Sequence, residues 1–279
     1  MIPGIYQLPA AQYHAGPCDT PELSQSLIKT LLSKSPLHAW VQHPKLNPQY
    51  KPYESERFDA GTAAHSILLE GEDDIVIVDA EDWRTKAAKE ARESARQAGK
   101  TALLTRHYFA AKEMAVLAQE FIARTALAGI FEAGQAEQSA LWIEPVGDWS
   151  IWCKARMDLK APGVILDYKT TSASNPGDFM RSSMTAFGYD VQDSFYRRGM
   201  KALGEECEFV FLVQEDTAPY ACYLVTASES MREMAEHKVN RAIKLWGECL
   251  ASNVWPAYGV KPHLAQAPAW AMTEEFSRE

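Results

Sequence analysis

The sequence predicts an α/β protein in which one mixed central β-sheet carries helices on both faces. Three observations carry this expectation. Helical periodicity dominates the first half of the chain, with capping residues at the starts and glycines at the stops. From Gln138 the period changes to that of strands, and three strands follow one another through tight turns. A helix, two more strands and a long helix complete the order, which is that of a layered α/β domain.

Taken in order, the first 20 residues carry Pro3, Pro9 and Pro17 and read as an extended arm. A helix then starts with Thr20 as cap, Pro21 at the first helical position and Glu22 at the positive end. Leu23, Leu27, Leu31 and Leu32 give it an apolar stripe, and Pro36 marks its end. Residues 41–57 are polar and proline-rich, a surface loop. A second helix runs from Phe58 to Glu70, with Gly71 as its stop. Residues 75–79 form a short strand, residues 81–99 a solvated helix ending at Gly99, and Arg106 to Leu127 a further helix. The three strands are 139–146, 150–159 and 163–170, turning at Gly147-Asp148 and Pro162-Gly163. Residues 174–188 read as a loop and Tyr189 to Leu203 as a helix. Strands 208–215 and 220–227 flank Thr217-Ala218-Pro219, a helix covers Ser228 to Leu250, and a Pro- and Trp-containing tail begins at Asn253.

The 279 residues fit one large domain or two small ones at ~150 residues each. The run of elements predicts one domain over 1–279: an arm and helix over 1–57, a core over 58–250 and a tail over 253–279. Apolar residues at 47% and charged residues at 23% are those of a soluble globular chain. A net charge of −9 excludes a globally basic nucleic-acid coat but not a local basic channel. Five scattered cysteines, without a C-x-x-C pair, exclude a disulfide framework, a zinc ribbon or an iron–sulfur cluster and suit a reducing compartment. With no basic start, signal-like core or long apolar run, the chain is expected in the cytoplasm, with no membrane contact.

Three segments carry candidate chemistry. KARMD ends one strand with Asp158, and GVILDYK places Asp167 and Lys169 on the next. Residues i and i+2 share a strand face, so Asp167 and Lys169 project together while Tyr168 points away. A hairpin brings Asp158 beside Asp167. Two carboxylates hold a hard divalent cation through oxygen, and such a cation polarises a phosphoryl oxygen and acidifies bound water. A lysine beside it positions that water or neutralises developing charge. Alone, D-x-K more often marks a salt-bridged strand end. In GTAAHSILLEG, Gly61 and His65 share a helix face. Gly61 admits a close backbone and His65 offers an imidazole ligand, though a lone histidine among Ile67, Leu68 and Leu69 is more often a packed core residue. In YDVQDSFYRRG, Tyr189, Gln192, Asp193 and Tyr196 form a polar-aromatic face with Arg197 and Arg198 adjacent. That face suits nucleic-acid contacts, and equally tyrosines that cap a core.

Together these segments resemble the RecB-like branch of the PD-(D/E)XK nuclease superfamily. Its pattern is G-x-x-x-H on a helix, an acid, D-(x)n-(D/E)-x-K on a hairpin and Q-x-x-x-Y on a helix. Gly61 to His65, Asp158, Asp167 with Lys169, and Gln192 with Tyr196 stand in that order. YHAGP, GTAAHSILLE, the WIEP strand, Arg156 to Asp158, DYKTT, YDVQDSFYRRG and FVFLVQE are similar to the RecE-type recombination exonucleases. The resemblance implies a single nuclease domain with a restriction-endonuclease-like core. It implies His65, Asp158, Asp167 and the Tyr168 backbone carbonyl as metal ligands, with Mg²⁺ as cofactor and Mn²⁺ substituting. Lys169 becomes the catalytic lysine and Glu137 an extra acid. Gln192, Tyr196, Tyr189, Arg197 and Arg198 become DNA contacts, and Ser26 falls where related exonucleases bind a terminal phosphate. Iron–sulfur members carry Cys-Pro where this chain has Ser35-Pro36.

The implied activity is degradation of the 5′ strand of linear duplex DNA, leaving 3′ overhangs for a RecT-like single-strand annealing protein. The resemblance, together with the charge of −9, then implies a closed homo-oligomer, a tetramer. Its inward cations would come from Lys86, Lys89, Arg92, Arg96, Arg181, Arg197 and Arg198. Two alternatives stand beside this reading. One is a RecB-like nuclease of other polarity or CRISPR-adaptation type, against which the missing cysteines count. The other is an inactive DNA-binding module, against which the complete Asp158, Asp167 and Lys169 count.

Overall fold

The computed structural model describes residues 1–51, 60–173 and 175–277. The expected start of a helix at Phe58 and the end of the 41–57 loop lie outside them. The strands are β1 (Gly4–Tyr6), β2 (Leu23–Ser24), β3 (Ile75–Val78), β4 (Thr101–Leu104), β5 (Gln135–Val146), β6 (Trp149–Ala161), β7 (Val164–Thr171), β8 (Glu208–Glu215) and β9 (Cys222–Val225). Helices α1 (Ala10–His14), α2 (Gln25–Ser33) and α3 (Pro36–Val41) lie near the N-terminus, then α4 (Ala60–Leu69), α5 (Lys86–Gln97), α6 (Thr105–Ile122) and α7 (Ile130–Ala133). After β7 come α8 (Pro176–Asp178), a π-helical turn, α9 (Met184–Ala186), α10 (Tyr189–Ala202), α11 (Glu229–Ser252) and α12 (Ala269–Phe276).

The mixed α/β architecture is the expected one. The main sheet runs β1-β5-β6-β7-β8-β9, with β2 paired to β6 off this path, and β3 and β4 form a separate parallel pair. The β5–β6 and β6–β7 hairpins turn where the sequence predicts, with Val146 opposite Trp149 and Ala161 opposite Val164. Gly147 and Gly163 take the left-handed conformations (φ 61° and 72°) that two-residue hairpin turns demand. One face of the sheet packs against α2, α10 and α11 around Trp142, Phe195, Phe209, Phe211 and Trp246. The other packs against α4 and α6 around Ala63, Leu68, Met114, Leu166 and Leu212.

Several elements differ from expectation. The N-terminal segment is not a free arm: β1 pairs with β5, and Leu8, Tyr13 and Cys18 cover Leu141 in a third small core. Thr20 does not cap the first long helix, because Leu23 and Ser24 form a strand on β6 and α2 starts at Gln25. Pro36 opens a new helix instead of ending one, as a proline at the first helical position allows. Thr101–Leu104, between the two expected helices and assigned to neither, is a strand beside β3. Residues 176–186 are helical where a loop was expected, anchored by the buried Phe179 and Met184. The tail begins packed, Trp255 lying edge-on to Trp246, and ends in the exposed α12.

Candidate active site

The sheet is irregular at one row, and that row holds the acids. The register Ala136↔Leu159 and Gln138↔Met157 places Glu137 opposite Asp158, yet the two do not pair. Glu137 has φ 57°, a left-handed backbone that residues with side chains rarely adopt inside a strand. Met157 packs with α10 and α11, whereas Leu159 packs with α4 and α6, although residues i and i+2 of a regular strand share a face. The irregularity therefore turns the hairpin over. On the other side of β6, the last pair with β7 is Leu159↔Leu166, so the strands part just where Asp158 would meet Asp167. The Tyr168 amide donates to Asp158 Oδ2 at 2.9 Å, the acid standing in for a strand carbonyl. Beyond the split, β2 takes the free edge of β6.

Helix α4 brings His65 to this row from the second core. Gly61 sits against Thr170, where a Cβ would come within 2.5 Å of Thr170 Oγ1, so the helix seats on β7 only with glycine there. His65 Nε2 then lies 3.1 Å from Asp158 Oδ2 and 3.9 Å from Glu137 Oε1. Donor atoms of His65, Glu137 and Asp158 all fall within 4.8 Å of one another. Two carboxylate oxygens and an imidazole nitrogen, half-buried at a strand split, form a donor set that fits a hard divalent cation. The sequence grouped His65, Asp158 and Asp167; the converging set has Glu137 in Asp167's place.

Asp167 is fully buried and engaged from the α10 side. Gln192 Nε2 donates to its Oδ2 and Lys169 pairs with its Oδ1. Burial pushes the Asp167 carboxyl up to about 6, with the Asp158 charge adding and Lys169 opposing. Burial also raises Asp158, but Lys169, His65 and the Tyr168 amide outweigh it and hold that carboxyl below its usual range. Glu137 is raised by burial against the pull of Arg156. His65 is disfavoured as a cation by burial, yet Asp158 and Glu137 carry it above its ordinary value. Lys169 is likewise opposed by burial, and Asp167 and Asp158 overcome this to keep it protonated. Its ammonium lies 5.4 Å from the Tyr189 ring centre, which stacks on Phe179. The Tyr168 side chain points to the opposite face, as alternation requires, and donates to Gln214.

Helix α10 divides its residues. Gln192 and Tyr189 reach the Asp167–Lys169 pair, and the buried Tyr196 packs on Phe209. Arg197 and Arg198 do not join them: Arg197 pairs with Asp193, and Arg198 with Glu144 and Asn240. Next to the acid row is a cavity of about 290 Å³ whose walls include Ser26, Ser24, His14, Lys154, Arg156 and Tyr196. Lys154 and Arg156, before the irregularity, share a face of β6. Lys154 is buried and bonded to Glu22 Oε1 (2.7 Å) and the Tyr13 carbonyl (2.8 Å). No motif marks this Lys154–Glu22 pair in the sequence, where a lysine at mid-strand is its one signal.

A parting strand pair that carries D…D-x-K, a histidine from a flanking helix and a mixed sheet together define a PD-(D/E)XK-type nuclease fold. Residues 24–266 match the family model described as a PDDEXK-like domain of unknown function (DUF3799), and the chain belongs to that family. No curated protein matches the sequence. Among solved structures, a candidate exonuclease from Eubacterium rectale superposes with a TM-score of 0.56 at 15% identity, over 96% of this chain and 98% of that one. A second, SSO0001, superposes with a TM-score of 0.29 at 13% identity, over 62% of this chain and 77% of that one. No helix among the described residues is long and apolar enough to cross a membrane.

Proposed function

We propose that the protein is a Mg²⁺-dependent exodeoxyribonuclease of RecE type, degrading the 5′ strand of linear duplex DNA and leaving 3′ overhangs for a single-strand annealing partner. The observation that carries this reading is the convergence of His65, Glu137 and Asp158 beside the Lys169–Asp167 pair, next to a cavity walled by Lys154 and Arg156. His65, Glu137 and Asp158 would hold the divalent cation, Mn²⁺ replacing Mg²⁺, with Asp167 and the Tyr168 carbonyl beside them. When bound, that cation supplies Lewis-acid polarisation of a phosphoryl oxygen and lowers the pKa of water.

The chain's own groups do the rest. Lys169 presents a fixed ammonium where negative charge grows on the phosphate, the kind of preorganised electrostatic help that matters most in a water-poor site. Asp167 holds that ammonium, and Gln192 holds Asp167. Water attacks the phosphodiester, the 3′ oxygen leaves, and a 5′-mononucleotide is released. The cavity suits a terminal phosphate, with Ser26 in its wall and the N-terminus of α2 beside it, where the cap Ser24 shares a hydroxyl–hydroxyl bond with Ser26 (3.0 Å) instead of capping a backbone amide. Tyr196 lines the same cavity, and Tyr189 faces the ammonium.

A closed homo-oligomer, a tetramer, reconciles the charge of −9 with duplex DNA by turning cations inward. Digestion of 5′-labelled and 3′-labelled linear duplexes with and without Mg²⁺ tests the reading. Release of 5′-labelled mononucleotide first, only with metal and never from a closed circle, is the expected result. Nicking of the circle, or release from the 3′ end first, rejects it.

A further inference from the structure

We infer that Arg156 is a positioning residue of the metal centre: it holds the left-handed Glu137 as a ligand, and the N-terminal segment holds Arg156. The inference rests on the metal-dependent nuclease reading above.

Glu137 occupies a conformation that glycine would adopt freely, yet the chain places there a charged residue with a half-buried side chain. Something must secure it. Arg156 Nε donates to Glu137 Oε2, which leaves Oε1 turned toward His65. The same guanidinium donates from Nη1 to the Leu8 carbonyl at 2.7 Å and lies 5.8 Å from the Tyr13 ring centre. Gln7 Nε2 donates to the Ala136 carbonyl at 3.1 Å, one residue before Glu137. Tyr6 pairs with Ser139, two residues after it. The irregular turn is thus braced on both flanks and at its carboxylate by residues 6–13 and by an arginine those residues fix. A lysine cannot replace that arginine, because its single ammonium lacks the planar fork that reaches Glu137 and Leu8 together.

Groups that orient a metal ligand typically change metal affinity ~10–100-fold when removed. The test is calorimetric titration of the full chain with Mn²⁺, with melting temperature measured alongside. Arg156→Gln and Arg156→Lys are each expected to raise the Mn²⁺ dissociation constant about tenfold or more. Their cleavage rate should recover in part at high Mn²⁺, which a general folding defect does not do. Glu137→Gly should weaken Mn²⁺ binding equally, because it removes the ligand that Arg156 holds. Mn²⁺ affinity within about twofold of native in folded Arg156 variants overturns the inference. If those variants do not fold, native Mn²⁺ affinity in Glu137→Gly overturns it instead. Asp158→Asn separates the two levels: native Mn²⁺ binding in that variant rejects the nuclease site itself. Its loss together with native binding in the Arg156 variants rejects only the role of Arg156.

Discussion

Strand β5 carries two glutamates seven residues apart, each paired with an arginine, and they are built to opposite ends. Glu144 lies in regular strand and is saturated: Arg198 grips both its oxygens at 2.8 Å, and the Trp142 indole donates to Oε1 at 2.8 Å. Glu137 lies in left-handed backbone, with Arg156 on one oxygen and His65 3.9 Å from the other. Residue type and partner type therefore do not distinguish a structural acid from a ligand. What distinguishes them is unused acceptor capacity aimed at other donor-poor groups, held there by a distortion the rest of the sheet tolerates.

That contrast can be broken at either end. The largest effect is expected at the ligand end: Asp158→Asn should abolish cleavage and Mn²⁺ binding, since it removes a hard oxygen charge where three donors converge. Single-turnover cleavage and calorimetry measure both. Next, Lys169→Ala should reduce the cleavage rate by roughly 10²–10³-fold while Mn²⁺ still binds, the cost of losing a preorganised charge-stabilising donor. Retained activity in Lys169→Ala would remove this site from the mechanism.

At the structural end, Arg198→Ala should lower stability by about 3 kcal/mol, because it leaves the buried Glu144 without its counter-charge. The folded fraction should bind Mn²⁺ as the native chain does; a loss of affinity here would erase the distinction between the two glutamates. Urea denaturation with parallel metal titration reads both quantities.

The smallest effect at neutral pH, growing only on acidification, concerns His43, which is buried near Glu22 in the cavity wall. Burial, aided by the Lys154 charge, lowers its pKa to about 4. Its unfolded-state value is the ordinary one of about 6.5. The unfolded chain therefore takes up a proton in that interval that the folded chain refuses, and stability falls as pH drops from 6.5 toward 4. His43→Gln should flatten this slope by up to about 3 kcal/mol over the interval, seen as a smaller shift in urea midpoint. An unchanged slope would place the acid sensitivity elsewhere.

Local spacing made much of the site legible. Gly61 and His65 share a helix face, and Asp167 and Lys169 share a strand face, because the periods of helix and strand are fixed by backbone geometry. The turns at Gly147 and Gly163 were legible because two-residue hairpins demand left-handed residues. The sequence by itself thus determined the α/β class, the two hairpins, and which side chains of each segment travel together. Tertiary structure alone decided how those segments meet. It chose Glu137 to converge with His65 and Asp158, partners 72 and 21 residues away in sequence, by a left-handed turn no spacing rule announces. It committed Arg197 and Arg198 to Asp193 and Glu144, and it brought Leu8 to Arg156 across 148 residues. The physical reason is one of range. Periodicity fixes which way a side chain points from its own element, whereas its final partner depends on the packing of elements distant in the chain.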